Sequence, residues 1–444
     1  MQLFGTAGIR GITNEDITPE LALKVARAYG SVFHGDIAVA RDTRFGAEMI
    51  EHAIISGLQS TGNRVHLLGI VPLPVFAKFV ADFMDGGIIV TGSHTPPNIM
   101  GIVAVDSLGR DIPQNVAKKI EESINIVPKG VAWNEIENTL YEDALEHYMK
   151  FIEQRAKGIE GYKIIVDPAN GSGAGIIDRI FENLGLDVYC INCKRKPIPD
   201  RPSEPRRESL QKLKKLSQNF DLGIGTDVDA DRVLFASNGR IYSEDVIGAI
   251  FAREYTKDKM VTPINSSSLI ERVAKEYGFE VIYCPVGPPE IAEHIIKHRA
   301  TYGYEETGKY IFPPDTLWGD SILSTINLLK IMNSSGKTLN ELAGEFPECY
   351  QIKRKIPVKR EIKREVAEKI GEYLEKNKPD GAIKIIRVDG VKIIYDNSWL
   401  LIRSSGTEDV IRVFSDAQSE KRAMKLVELG MNLVKRFLSD FQQG

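Results

Sequence analysis

Short apolar runs alternate with helical stretches along most of this chain, and that alternation leaves few folds open. Residues 17–35 read as a helix, with Thr18 able to cap it and Pro19 in its first turn. IAVA at 37–40 reads as a strand ending in RDTR, 41–44, and a helical stretch follows over 47–60. RVHLLGI at 64–70 is a strand, FAKFVADF at 76–83 a helix, and GGIIVTGSH at 86–94 a strand running into a loop. GIVAVD at 101–106 and a helix near 113–123 complete the stretch, and 141–159 reads as a linking helix. This order favours an α/β layer with a largely parallel sheet.

The pattern then restarts. YKIIVDPANGSGAG at 162–175 opens a second stretch that runs through a Pro- and Arg-rich segment, 194–208, to DLGIGTDVDADR at 221–232. A third α/β stretch covers about 255–348. The tail differs: four short strands over 382–416 and a closing helix at 418–437 suggest a sheet covered by one helix. The lysine-rich run near 353–378 reads as a linker and a solvated helix. A chain of 444 residues has room for roughly two to four domains. The expected division is 1–150, 151–253, 254–350 and 351–444: three similar α/β domains with mixed sheets plus a smaller C-terminal α+β domain.

Composition closes off several classes. With 43% hydrophobic residues the chain is no disordered polymer. A net charge of −4 argues against a general nucleic-acid binder, while leaving room for a local anion pocket. No signal core and no uncharged run of about 18 residues is present, so the expectation is a soluble, reduced, cytoplasmic protein without membrane contact. Cys190 and Cys193 form a CxxC inside an apolar strand-like run, with no second pair at zinc spacing, and read as structural or incidental.

Five segments can carry chemistry. In DVDAD, Asp227, Asp229 and Asp231 alternate, so an extended chain aims three carboxylates at one point, which calls for a hard cation such as Mg²⁺. Arg232 follows directly. TGSHTPP at 91–97 sets Ser93 beside His94, without the elbow of a serine hydrolase. RSSGTED at 403–409 offers Arg403, Ser404, Ser405 and Thr407 around Gly406, a plausible phosphate nest. YGYEETGKY at 302–310 sets Glu305, Glu306, Thr307 and Lys309 in a Gly-bounded loop, and GTAGIRG at 5–11 carries Arg10. Each of these segments also has a plain reading as a surface turn.

Taken in order, GTAGIRG, RDTR, TGSHTPP, DVDADR, YEETG and RSSGTED resemble the α-D-phosphohexomutase family over essentially the full chain. The resemblance implies four domains around a central cleft. It implies Ser93 as the phosphoserine, and Asp227, Asp229 and Asp231, with a phosphoryl oxygen on Ser93, as Mg²⁺ ligands. Glu305 and Thr307 match the sugar readers, and Arg403, Ser404, Ser405, Gly406 and Thr407 the loop for the phosphate that is not transferred. Arg10, Arg41 and Arg232 match active-site arginines.

The implied activity moves a phosphoryl group between the C1 and C6 hydroxyls of glucose or mannose phosphate, through a sugar bisphosphate that also serves as activator. Phosphoglucosamine mutase and phosphopentomutase are the alternatives within the class. A non-catalytic sugar-phosphate-binding protein is the alternative outside it. The implied partners are sugar monophosphates, and the family's usual range is monomer or homodimer. This chain departs from the family pattern: the usual lysine after the serine loop is Val103, the usual histidine is Lys309, and an Asp-Gly pair is Asp320-Ser321. His94 and Lys309 are the candidates to replace the missing acid/base.

Overall fold

Thr18 caps the helix Pro19–Val32, its hydroxyl accepting from the Leu21 amide at 3.3 Å, as the sequence suggests. The structure is a computed structural model described over residues 3–5, 8–124, 126, 129–406 and 408–443. It divides into two units. The first comprises Met1–Glu244, Gly287–Glu293 and Thr307–Leu342; the second comprises Asp245–Val286, His294–Glu306 and Ala343–Gly444.

The first unit opens with six strands: β1 (Ile9–Ile12), β2 (Asp36–Arg41), β3 (Arg64–Ile70), β4 (Gly86–Val90), β5 (Ile99–Asp106) and β6 (Leu140–Tyr141). Their order is β1-β5-β4-β2-β3-β6. The β4-β2-β3-β6 run is parallel, while β5 returns antiparallel to β4 and β1 runs antiparallel to β5. The sheet is therefore mixed, and the reversal places the serine loop at the β4–β5 turn. Val39, Ile88, Val90, Met100 and Ile102 pack with Tyr29, Ile54 and Leu58 of the helices in one buried core. Burying this apolar face is what makes the strand positions specific, because a one-residue slip would expose it.

A second sheet contains β7 (Lys163–Asp167), β8 (Asp187–Cys190), β9 (Leu222–Thr226), β10 (Val233–Ser237) and β11 (Arg240–Ile241), in the order β11-β10-β9-β7-β8. Again the parallel strands β8, β7 and β9 are followed by an antiparallel return, β9 to β10, with Thr226 opposite Val233. The aspartate loop is that turn. The linking helix is shorter than the sequence suggests, Ala144–Glu153, and Asp143 caps it.

Tyr148 on that helix is buried and donates to Asp320 Oδ2 at 2.7 Å. Asp320 Oδ1 in turn accepts the Ile322 and Leu323 amides at the start of the helix Ser321–Ser335. Burial pushes the Asp320 carboxyl up to about 6. A carboxyl raised above its unfolded value binds its proton more tightly in the folded state. Its contribution to stability is therefore full below pH about 4 and is lost as pH rises towards 6. Asp320→Asn removes this term. In urea titrations the stability of the variant relative to the parent should rise between pH 4 and pH 6, then level off.

In the second unit β12 (Lys259–Pro263), β13 (Glu280–Cys284) and β14 (Tyr302–Glu305) form a parallel trio in the order β13-β12-β14. The chain turns at Gly308 into β15 (Lys309–Ile311). The tail forms an antiparallel sheet of β16 (Tyr350–Pro357), β17 (Lys384–Ile386), β18 (Val391–Tyr395), β19 (Ser398–Ser404) and β20 (Val410–Ala417), ordered β16-β20-β19-β18-β17. Two expectations change here. The tail sheet has five strands, because part of the lysine-rich run is strand β16, an edge where charged side chains stay in water. The remainder is the helix Lys363–Lys376, whose Val366, Ala367, Ile370 and Leu374 are buried, so it is amphipathic and only one face is solvated.

Ile264 and Tyr283 share a buried cluster with Ile394, Trp399, Leu401 and Phe414, so the trio and the tail sheet pack as one body. Lys392 is buried among them, its Nζ 4.1 Å from the Tyr283 ring centre and 4.7 Å from that of Trp399. Burial lowers this lysine to about 8. Cys190 and Cys193, expected as reduced residues, are joined in a disulfide, because the turn after β8 brings their Cα atoms to 6.0 Å. Among the described residues no helix is long and apolar enough to cross a membrane.

Candidate active site

Four of the segments with chemistry share one structural position: each is the turn between a strand and its successor. The serine loop joins β4 to β5, the aspartate loop β9 to β10, the Glu305–Gly308 loop β14 to β15, and the RSSGTED loop β19 to β20. Strands fix the two ends of each loop while the loop itself stays free of ladder hydrogen bonds.

In the first unit the serine and aspartate loops meet. Ser93 Oγ donates to Asp227 Oδ2 at 3.1 Å and lies 3.3 Å from His94 Nδ1. The three aspartates are buried, and one carboxylate oxygen from each lies within 4.8 Å of the others. Burial, then mutual repulsion, pushes Asp227 and Asp229 above the usual carboxylate range. Burial also opposes ionisation of Asp231, but Lys309 and then Arg232 outweigh it and hold that carboxyl at about 2. Lys309 Nζ is 2.6 Å from Asp231 Oδ2, and Trp318 Nε1 donates to the same oxygen at 2.9 Å. Arg232 Nε is 3.8 Å from Asp227 and 3.9 Å from Asp231, while its Nη1 meets Glu204 at 3.4 Å.

Asp229 Oδ1 and Asp231 Oδ1 are buried without a hydrogen-bond partner. Orphaned anionic oxygens facing one another are costly, and a hard divalent cation relieves them, so this donor set fits Mg²⁺. The loop is braced from behind: Ser172 donates to Val228 O through its amide at 2.8 Å and its hydroxyl at 3.0 Å. Gly171 approaches the same carbonyl so closely that a Cβ would collide with it.

Ser93 itself sits at φ 49, a left-handed conformation that a non-glycine residue holds only when its surroundings impose it. The sequence did not single out what imposes it. Arg44 is buried and pairs with the buried Asp42, Nε to Oδ2 at 3.1 Å. Its two terminal nitrogens donate to the carbonyls of Ser93, Thr95, Pro96 and Ile99 and to the Thr95 hydroxyl. Asp42 Oδ2 also accepts the Gly92 amide at 2.9 Å. Thr91 Oγ1 accepts the Ser93 amide at 2.9 Å and stands 3.1 Å from Asp42 Oδ2 and 2.9 Å from Asp229 Oδ2. The Thr91 hydroxyl thus links the serine loop to the aspartate cluster. A side chain at Gly92 would overlap the Arg44 guanidinium. The available sequence signal was an Asp and an Arg directly after the apolar IAVA run, within RDTR.

The remaining expected residues separate. Arg10 donates to Thr91 O at 3.2 Å, and burial lowers it from the usual arginine range even though Asp229 pulls the other way. Burial, then Arg232 and Arg10, pushes His94 down to about 3, so its imidazole is neutral at pH 7. Arg41 ends β2 held by Glu51 at 3.0 Å and Glu48 at 3.7 Å, and not by the aspartates. Val103 is buried in β5 opposite Ile89, so nothing basic stands at that position. Thr307 belongs to the first unit, beside Gly308.

In the second unit Glu305 is buried at the end of β14. Its neighbour Glu306 accepts from Asn265 at 2.7 Å and from Lys353 at 3.1 Å. Arg403 is held by Asp389 at 2.8 Å, with burial lowering it, and its Nε is buried without a partner. Ser405 Oγ accepts the Glu408 amide at 3.1 Å; Ser404 is half-buried and Gly406 exposed. Thr407 lies outside the described residues.

The chain matches known proteins along its whole length. Models of the phosphoglucomutase/phosphomannomutase family match as α/β/α domain I over residues 1–129, domain II over 141–239, domain III over 243–350 and the C-terminal domain over 355–430. A phosphoglucomutase/phosphomannomutase of Thermococcus kodakarensis is 36% identical, covering 98% of this chain and 99% of the relative. A probable phosphoglucosamine mutase of Pyrococcus horikoshii is 32% identical over 98% of each chain. A phosphopentomutase of Thermococcus kodakarensis is also 32% identical, over 100% of both. The crystal structure of a phosphoglucomutase/phosphomannomutase family protein from Burkholderia thailandensis shares the fold with a TM-score of 0.87, at 23% identity, over 98% of this chain and 97% of that one. With three α/β/α domains, a C-terminal α+β domain and an acidic cluster beside a serine, the chain belongs to the α-D-phosphohexomutase superfamily, a group of phosphotransferase-type enzymes.

Proposed function

We propose that this enzyme is a Mg²⁺-dependent sugar-phosphate mutase acting through a phosphoserine at Ser93, with glucose or mannose phosphate as its substrate. The observation that carries the reading is the hydrogen bond from Ser93 Oγ to Asp227 at the mouth of three buried carboxylates. Asp227, Asp229 and Asp231 would hold the metal ion, which supplies charge neutralisation for a phosphoryl group when bound.

In the first half-reaction the bond from phosphorus to Ser93 Oγ breaks while one forms to the free sugar hydroxyl, whose proton leaves to a base. The second half-reaction runs the reverse with the other phosphate. Arg10, Arg232 and Lys309 disperse charge around Ser93, as phosphoryl transfer demands. Glu305 and Thr307 read sugar hydroxyls, and the Arg403, Ser404, Ser405, Gly406 and Thr407 loop holds the phosphate at rest. Asp389 keeps the Arg403 fork oriented for that task.

Lys309 takes the place of the family's usual histidine and stands against Asp231, so it is the charged candidate for the acid/base role. Lys309→Ala should lower kcat by about 10²-fold or more, the usual reach of a general acid or base. Unchanged kcat across pH would remove Lys309 from the role. Chelation by EDTA should abolish turnover, and Mg²⁺ should restore it.

A second reading follows from Glu305, a carboxylate that accepts protons from a sugar hydroxyl or an ammonium equally well: glucosamine phosphate, or a pentose phosphate, as substrate. The decisive measurement is kcat/KM for the 1-phosphates of glucose, mannose, glucosamine and ribose, each primed with its bisphosphate. The highest value is expected for glucose or mannose. Intact mass of the purified protein before and after phosphatase tests the modification. A Ser93 that cannot be charged by any sugar bisphosphate would leave only a sugar-phosphate-binding protein.

A further inference from the structure

The Cys190–Cys193 disulfide plays no part in the chemistry above, yet it lies one short network away from it. Both cysteines are half-buried and not sealed in a core. A bond between residues three apart removes little entropy from an unfolded chain, which makes it a poor staple for the whole fold. Its effect is local. The ring contains Asn192, held in the left-handed region at φ 58.

From Asn192 the contacts run inward. Its Nδ2 donates to Asp167 Oδ1 at 3.0 Å, and its carbonyl accepts the Asn170 amide at 3.0 Å. The other oxygen of Asp167 accepts from Arg201 Nε at 3.0 Å, and Arg201 Nη2 donates to Thr226 O at 2.6 Å, directly before Asp227. Asn170 also fastens the segment after the ring, donating to Lys194 O at 2.9 Å and accepting the Asp200 amide at 2.9 Å. That segment supplies Glu204 to Arg232 and, with His94 and Pro96, lines a cavity of about 1010 Å³.

We propose that Cys190 and Cys193 are a redox-active pair: the disulfide locks residues 194–209 beside the active site, and the dithiol loosens them. A carboxylate oxygen of Asp178 lies within 4.8 Å of both sulfurs, and Asp178 Oδ1 is buried without a partner. Reduction turns the two sulfurs into S–H donors beside this carboxylate, which can then accept a hydrogen bond that the disulfide cannot offer.

The oxidant is a small disulfide, RSSR. One cysteine thiolate attacks it, a mixed protein–SR disulfide forms and RS⁻ leaves. The second cysteine thiolate then displaces the other RS⁻. Two electrons pass from the cysteine sulfurs to RSSR, and the two cysteine protons end on two molecules of RSH.

The test equilibrates the full chain in mixtures of glutathione and glutathione disulfide, counts free thiols under denaturing conditions, and follows amide hydrogen exchange. Four thiols are expected at the reducing end and two at the oxidising end. Exchange across 194–209 should be about tenfold faster in the dithiol form, while β4 stays unchanged. Cys193→Ser should show the faster exchange in both buffers. Asp178→Ala should shift the equilibrium about fivefold towards the disulfide, the worth of one lost hydrogen bond. Four titratable thiols after treatment with glutathione disulfide alone, or equal exchange across 194–209 in the two forms, would overturn the proposal. So would a redox response that persists in Cys193→Ser. An unshifted equilibrium in Asp178→Ala would overturn the part given to Asp178.

Discussion

Ser93→Ala should lower kcat by about four orders of magnitude or more, with the fold intact. Removing a nucleophile that no neighbour replaces typically costs that much, because the remaining groups bind and orient but form no covalent intermediate. A much smaller loss would mean that His94, whose Nδ1 stands 3.3 Å from Ser93 Oγ, takes over as nucleophile. Two measurements separate the chemistry from the fold. Substrate binding by calorimetry should stay within a few-fold of the parent, and the thermal midpoint should move little, since only one hydroxyl is lost. Turnover of Ser93→Ala within tenfold of the parent would show that phosphate passes elsewhere.

The second large effect concerns stability. Arg44→Met should destabilise the protein by about 3–5 kcal/mol, because Asp42 is left as a buried charge without its cationic partner. The Asp42 and Arg44 side chains are 0% and 2% exposed, so solvent offers no compensation. Arg44→Met also leaves four loop carbonyls without their shared donor, and the serine loop loses the clamp that holds Ser93 left-handed. The loss of kcat should therefore exceed what the stability change alone explains at temperatures where the variant is folded. The paired variant Asp42→Asn/Arg44→Met is expected to recover part of the stability, since no isolated charge remains, but not the activity. Urea unfolding of the two single variants and the pair gives the coupling between the residues. Additive losses would mean that Asp42 and Arg44 act independently and that the clamp is misassigned.

Some of this was legible in the sequence for a plain physical reason. The βα alternation needs only local periodicity, and so do the apolar runs that became β2, β4, β7 and β9. The alternating aspartates needed only mutual repulsion to mark a candidate cation site. Where one element's fate depended on a distant one, the sequence was silent. Residues 350–357 look like a charged linker until β20 offers them a strand to pair with. CxxC looks inert until the turn after β8 brings the two sulfurs together.

The same division runs through the site. Local sequence determined which residues are chemically able: a serine, three aspartates, arginines and a lysine, each in a Gly- or Pro-marked loop between apolar strands. Only the tertiary structure decided that Ser93 meets Asp227 across 134 positions of chain and that Lys309 meets Asp231. It alone gave Thr91, Arg44 and Trp318 the task of holding them there. Side-chain chemistry is a property of the residue, whereas burial, orphaned oxygens and a hydroxyl set between two carboxylates arise only when separate loops are packed into one place.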